Sequence, residues 1–179
     1  MNRSQIEHII RAAGSITGDD EFIIIGSQAI LGQFPDAPVA LLQSIEVDMY
    51  PKNKYELADL IDGAIGELSA FHQTFGYYAH TVSEKTAALP SGWEKRLVPI
   101  KNKNTHGITG WCLEVYDLAA SKYAAGRKRD RQFNQKLIKT GMLEEKKLRQ
   151  RIKALPLPDT ALKRILEYFE KDFSEIADS

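Results

Sequence analysis

Glu46 and Asp48 are the side chains with which this sequence could do chemistry. They stand two apart in residues 44–50, where apolar and polar residues alternate. A period of two puts both carboxylates on one face of a strand. Like-charged carboxylates held side by side repel each other, so a divalent cation is their natural counter-charge. Magnesium takes hard oxygen ligands and binds phosphate oxygens at the same time. A pair of such ions, about 3.5–4 Å apart, can activate an attacking hydroxyl and stabilise a leaving pyrophosphate. Upstream, Gly26-Ser27 separates the apolar run 22–25 from a helix start at Gln28. Glycine lets a phosphate approach the backbone closely, and the free amides and dipole of a helix N-terminus favour an anion. One short helix and a loop lie between the glycine turn and the acidic strand, so the two can be sheet neighbours. Together they suit transfer of a nucleoside monophosphate. Taken singly, the first is also a plain turn and the second a solvated strand face.

The elements that must position these residues follow from periodicity and punctuation. Ser4 and Glu7 have the spacing of a capping box, and Ile6, Ile9, Ile10 and Ala13 fall on one helical face that Gly14 should end. Residues 22–25 are short, apolar and β-branched, as in a strand buried on both faces. A helix follows with Ser27 near its N-cap. Residues 44–50 form the second strand, with Ile45, Val47 and Met49 on its apolar face. Asn53 to Glu56 should cap a helix that turns Leu57, Leu60, Ile61 and Ile65 inward. Strands are expected at 76–82, 96–100 and 107–115. Beyond Asp117 the pattern is helical, at about 118–126, 131–140, 143–154 and 160–172, with Gly141 and Pro156 to Asp159 as breaks. The fold class is α/β (α+β): a mixed sheet of about four or five strands flanked by helices. Two regions are expected, an α/β core over 1–116 and a helical region over 117–179 that packs on it as the other wall of a cleft.

Length and composition fit one compact core with an appendage. Lysine plus arginine equals aspartate plus glutamate over the 179 residues. Residues 122–153, however, hold twelve lysines or arginines against three acids, a block able to bind a polyanion such as RNA or simply to form solvated helix faces. The single cysteine, Cys112, excludes an internal disulfide and a cysteine-based zinc site, which fits the cytoplasm. The N-terminus lacks an apolar signal core, and the longest apolar run is far too short to span a membrane. His8, His72, His80 and His106 show no metal-ligand spacing and read as structural or surface groups. Trp93 and Trp111 read as packing residues, Cys112 as an inert buried thiol. Ser27, Ser44 and Ser121 have no histidine at a suggestive spacing, so a hydrolase triad has no support.

Residues 22–30 around Gly26-Ser27, followed by 44–49 with Glu46 and Asp48, resemble the signature of the polymerase-beta-like nucleotidyltransferase superfamily. Residues 117–130, with Lys122, Gly126, Arg127 and Asp130, resemble a helix of bacterial nucleotidyltransferase-like domains of unassigned function, relatives of the AbiEii-type toxins. Residues 71–77 and 89–98 look like the same group, and the similarity covers most of 20–140. The resemblance implies a nucleotidyltransferase core and a set of site residues. Gly26 and Ser27 would hold nucleotide phosphates, with Arg127 and Lys122 balancing their charge. Glu46 and Asp48 would bind magnesium, two ions being expected. Lys122 would face the nucleotide, and Asp130 would help order the site.

Two departures stand out: glutamate rather than aspartate at position 46, and no placed third carboxylate. Glu114, at the end of a predicted strand, is the candidate for the latter. The implied activity moves a nucleoside monophosphate from a magnesium-bound nucleoside triphosphate to a hydroxyl on RNA, protein or a small molecule. A toxin acting beside an antitoxin protein is one version. The alternative is a degenerate module that keeps the fold and binds nucleotide, RNA or a partner protein.

Overall fold

The computed structural model describes residues 1–177, which divide into two compact units. The first comprises Met1–Thr86 and Leu97–Glu114; the second comprises Ala87–Arg96 and the chain from Val115 onward. Among the described residues are five strands and eight α-helical segments, an α+β fold.

In the first unit, α1 (Arg3–Thr17) is closed by a capping box two residues earlier than the sequence pattern suggests, with Asn2 as the cap and Gln5 as its reciprocal partner. Glu7 is thereby released from capping. It turns inward and accepts hydrogen bonds from Arg3, Asn102 and Asn104. Gly14 does not end the helix. A Cβ there would come within 2.2 Å of Ile108, so the glycine serves a close approach inside a continuing helix. The stop is Gly18, whose left-handed backbone (φ 64°) donates back to Gly14.

The sheet runs β3-β2-β1-β5-β4, from β1 (Glu21–Ile24), β2 (Glu46–Pro51), β3 (Tyr78–Thr81), β4 (Val98–Ile100) and β5 (Thr109–Cys112). The β1–β2 and β4–β5 pairs are antiparallel, whereas β1–β5 and β2–β3 are parallel. The register gives each face its character. Phe22, Ile24, Val47, Met49, Gly110 and Cys112 share one face, where α1 packs so tightly that a Cβ on Gly110 would meet Ile10 at 2.5 Å. Glu21, Ile23, Glu46, Asp48, Tyr50, Tyr78, His80 and Trp111 share the other.

Three local expectations change. Strand β2 starts at Glu46, so Ile45 precedes it and is 48% exposed rather than core. The helix after the glycine turn is a 3-10 turn, Ser27–Ala29, followed by a single turn, α2 (Ile30–Gln33). Helix α3 (Ala58–Ile65) buries Ile61 and Ile65 but leaves Leu60 51% exposed. A helix not expected from periodicity, α4 (Ala70–Phe75), is capped by the Ser69 hydroxyl and ends at the left-handed Gly76.

The second unit contains α5 (Val115–Ala125), α6 (Lys128–Lys139), α7 (Glu145–Lys153) and α8 (Asp159–Ala177). Leu118, Leu137, Leu148, Ile152 and Phe169 are among its buried apolar residues. Two fully buried aspartates tie it together. Asp117 takes a two-pronged contact from Arg96 at 2.8 and 3.0 Å and a third from Arg151 at 3.0 Å. Asp172 accepts from Tyr123, Arg131 and Gln135. Arg96 explains why residues 87–96 belong to this unit, as does the bond from the Ser91 amide to the Ala154 carbonyl. Among the described residues no helix is long and apolar enough to cross a membrane.

Candidate active site around Gly26, Glu46 and Asp48

The antiparallel pairing of β1 with β2 brings the end of the first strand beside the start of the second. The Ile25 amide donates to the Asp48 carbonyl at 3.1 Å, so the ladder reaches the residue before Gly26. Gly26 then lies directly against the Asp48 side chain. A Cβ on residue 26 would stand 1.9 Å from Asp48 Oδ2, 2.7 Å from its Cγ and 2.8 Å from its Cβ. The backbone of Gly26 (φ −84°, ψ −170°) is open to any residue, so glycine is required here for space and not for conformation. The expected meeting of glycine turn and carboxylate is therefore a van der Waals contact.

Glu46 and Asp48 point to the same face, and each is matched on β3 by the residue in register. Tyr78 donates its hydroxyl to Glu46 Oε2 at 3.0 Å. His80 Nδ1 lies 3.0 Å from Asp48 Oδ1. Burial, with the Glu46 carboxylate beside it, pushes the Tyr78 hydroxyl up to about 12, which keeps it a proton donor. A pocket of about 300 Å³ adjoins these rungs, lined by Glu46, Asp62, Glu67, Tyr78, Ala79 and His80. Asp62 reaches from α3 to accept the Thr81 amide at 2.9 Å, which fixes the end of β3.

The donor set suits a cation brought in with phosphate. Among the described residues no three His, Cys, Asp or Glu side chains form a group able to hold a metal ion. Two carboxylates are nevertheless what magnesium commonly takes from a protein when phosphate oxygens and water complete its shell. Glu46 and Asp48 each give one oxygen to a β3 side chain, leaving the second for such a cation. Glu114 follows β5, which is separated from β2 by β1; β3, adjoining β2, offers His80 opposite Asp48.

The other residues singled out in the sequence distribute as follows. Ser27 is the first residue of the 3-10 turn and Gly26 its cap, with the Ala29 amide returning to the Gly26 carbonyl at 2.9 Å. Gln28, also in this turn, is buried; its Nε2 donates to the Ser44 carbonyl at 3.3 Å, while Oε1 has no protein partner. Lys122 and Arg127 lie in the second unit and meet at the buried Asp130, at 3.0 and 2.6 Å. Burial alone would raise the Asp130 carboxyl, but Lys122 and Arg127 outweigh it and hold the group below the usual carboxylate range. The Lys122 ammonium, on a side chain only 11% exposed, also stands 4.5 Å above the Phe133 ring. Trp111 donates to Glu21 and carries Lys52 over its ring, as a sheet-packing residue would. Burial pushes the Cys112 thiol up to about 12, in keeping with an inert side chain.

A sequence family described as nucleotidyltransferase of unknown function (DUF6036) matches residues 4–179. The chain belongs to this family. Membership gives the chain as a whole a nucleotidyltransferase framework. No curated protein and no solved structure matches the chain.

The sequence alone gives His80 a structural or surface role and does not single out Tyr78; the structure sets them against Asp48 and Glu46. Their signal was present: Tyr78 and His80 repeat, two apart, the spacing of Glu46 and Asp48. What was lacking was the parallel register that sets the two pairs side by side.

Proposed function

We propose that this chain transfers a nucleoside monophosphate from a magnesium-bound nucleoside triphosphate to a hydroxyl acceptor, with Glu46 and Asp48 as the metal carboxylates. One observation carries the reading: the Asp48 carboxylate rests against Gly26, with Glu46 beside it on the same face. A phosphate approaching the side-chain-free backbone of Gly26 would meet the same oxygen that a cation would bind. Bound magnesium would neutralise charge on the phosphates and on the leaving pyrophosphate. Glu46 and Asp48 would orient the triphosphate, while Tyr78 and His80 hold those carboxylates in place. Gly26 and Ser27 would line the phosphate side. The acceptor oxygen forms a bond to the α-phosphorus, the bond to the β-phosphate bridge breaks, and the acceptor proton passes to solvent. RNA, protein and small molecules all supply such hydroxyls, and a toxin partnered by an antitoxin protein is one setting for the activity.

A second reading, a module that binds nucleotide, RNA or a protein partner without catalysis, is favoured by the lack of a three-ligand metal group among the described residues. One experiment separates them. The protein is incubated with magnesium, each α-labelled ribonucleoside triphosphate, and total cellular RNA or protein. The expected result is label on one acceptor, lost in Asp48→Ala. Magnesium-dependent thermal stabilisation by a triphosphate without any transfer would favour the module and overturn catalysis.

A further inference from the structure

Strand β3 sets one side chain against each acidic residue of β2. Tyr78 faces Glu46 and His80 faces Asp48, both at 3.0 Å. An ionised carboxylate is an acceptor only, so His80 Nδ1 must donate. Both neutral and charged imidazole can do so from Nδ1, and the contact does not depend on the charge of the ring. Asp48 is thus held from two sides. His80 engages Oδ1, and the Gly26 backbone lies against Oδ2. The Asp48 side chain is 27% exposed, so solvent is open to it as an alternative destination. The Glu46 carboxylate, on the same face, adds like-charge repulsion to whatever holds Asp48 in place.

We propose that His80 is the positioning residue of this site. Through Nδ1 it fixes the Asp48 carboxylate in the orientation that sets Oδ2 on the Gly26 turn, ready for the magnesium triphosphate. The inference rests on the reading of Glu46 and Asp48 as metal carboxylates. It differs from a ligand role for His80, which would act through Nε2. It differs also from a packing role, because the His80 side chain is 55% exposed and carries little of the core.

The test uses the full chain and reads binding rather than turnover. Manganese stands in for magnesium, and its electron paramagnetic resonance signal reports the free ion. Each of the four non-hydrolysable ribonucleoside triphosphates is supplied in turn. Three variants separate the two ring nitrogens. His80→Asn keeps an N–H donor near the place of Nδ1, His80→Gln moves it toward the place of Nε2, and His80→Ala removes it. Outer partners of metal ligands typically account for about 10–100-fold in metal affinity. His80→Ala and His80→Gln are therefore expected to weaken manganese–triphosphate binding by about tenfold or more, with His80→Asn close to wild type. Thermal denaturation of all three should match wild type, given the exposure of the ring. Unchanged binding in His80→Ala, or rescue by glutamine but not asparagine, overturns the positioning role and leaves the nucleotidyl-transfer reading standing. Wild-type protein that binds no manganese–triphosphate overturns that reading, and this inference with it.

Discussion

Adding one methyl group at Gly26 should damage the site without straining the backbone. In Gly26→Ala the new Cβ would lie 1.9 Å from Asp48 Oδ2, and the three nearest atoms all belong to the Asp48 side chain. The carboxylate must retreat by about 1.5 Å to reach ordinary contact distance. Its 3.0 Å link to His80 has no such slack. Overpacking of this kind costs about 1–3 kcal/mol. Alanine returns about 0.4–1 kcal/mol by restricting the unfolded chain, because the native φ and ψ suit it. The net loss is about 1–2 kcal/mol, which lowers the melting temperature of a chain this long by about 2–8 °C. The decisive measurement is a double-mutant cycle with Asp48→Gly, followed by thermal denaturation. With the Asp48 side chain gone, the three atoms nearest the new Cβ are removed, and alanine at 26 is expected to stabilise by about 0.4–1 kcal/mol. An equal loss in both backgrounds, or none in either, would refute the claim that Gly26 exists to make room for Asp48.

Two further perturbations probe the framework. Burial would by itself raise the Glu7 carboxyl, but hydrogen bonds from Asn104, Arg3 and Asn102 outweigh it and hold the group below its ordinary 4.5. A carboxyl lowered in the native state contributes stability that is complete above the unfolded value and vanishes as pH falls through the native one. Glu7→Gln is therefore expected to cost about 1–3 kcal/mol near neutral pH and progressively less as pH falls below the ordinary carboxylate range, flattening the acid limb of urea midpoints; an unchanged acid limb would refute this. In the second unit, Asp117→Ala leaves the Arg96 and Arg151 guanidinium groups without their buried carboxylate, at a cost of about 3–5 kcal/mol. Calorimetry should show the loss, and amide exchange should quicken in residues 87–96 and α5; wild-type exchange there would contradict the assignment.

The sequence discloses most where a pattern is short-ranged. Alternation about Glu46 and Asp48 placed both carboxylates on one face, and the apolar run 22–25 located the first strand to within a residue. The helices after residue 115 were legible from their breaks at Gly141 and Pro156 to Asp159. What escaped was set by distant partners. Gly14 has the look of a helix stop until Ile108, far along the chain, fills the space of its missing Cβ. Leu60 follows the helical period inward yet stands exposed, because α3 buries only Ile61 and Ile65. His80 with Tyr78 repeats the spacing of Glu46 and Asp48, but only the parallel pairing of β3 with β2 gives it Asp48 as a neighbour.

The connectivity of residues 87–96 bears on how this protein could be dissected or recombined. The backbone leaves the sheet unit after Thr86, visits the helical unit, returns at Leu97 and departs again after Glu114. A single cut therefore cannot deliver either half intact. A fragment ending at residue 114 carries a ten-residue orphan whose Arg96 and Ser91 amide have lost Asp117 and the Ala154 carbonyl, and the complementary fragment holds Asp117 bereft of Arg96. Exchange of the helical half between homologues would succeed only if that orphan travels with it.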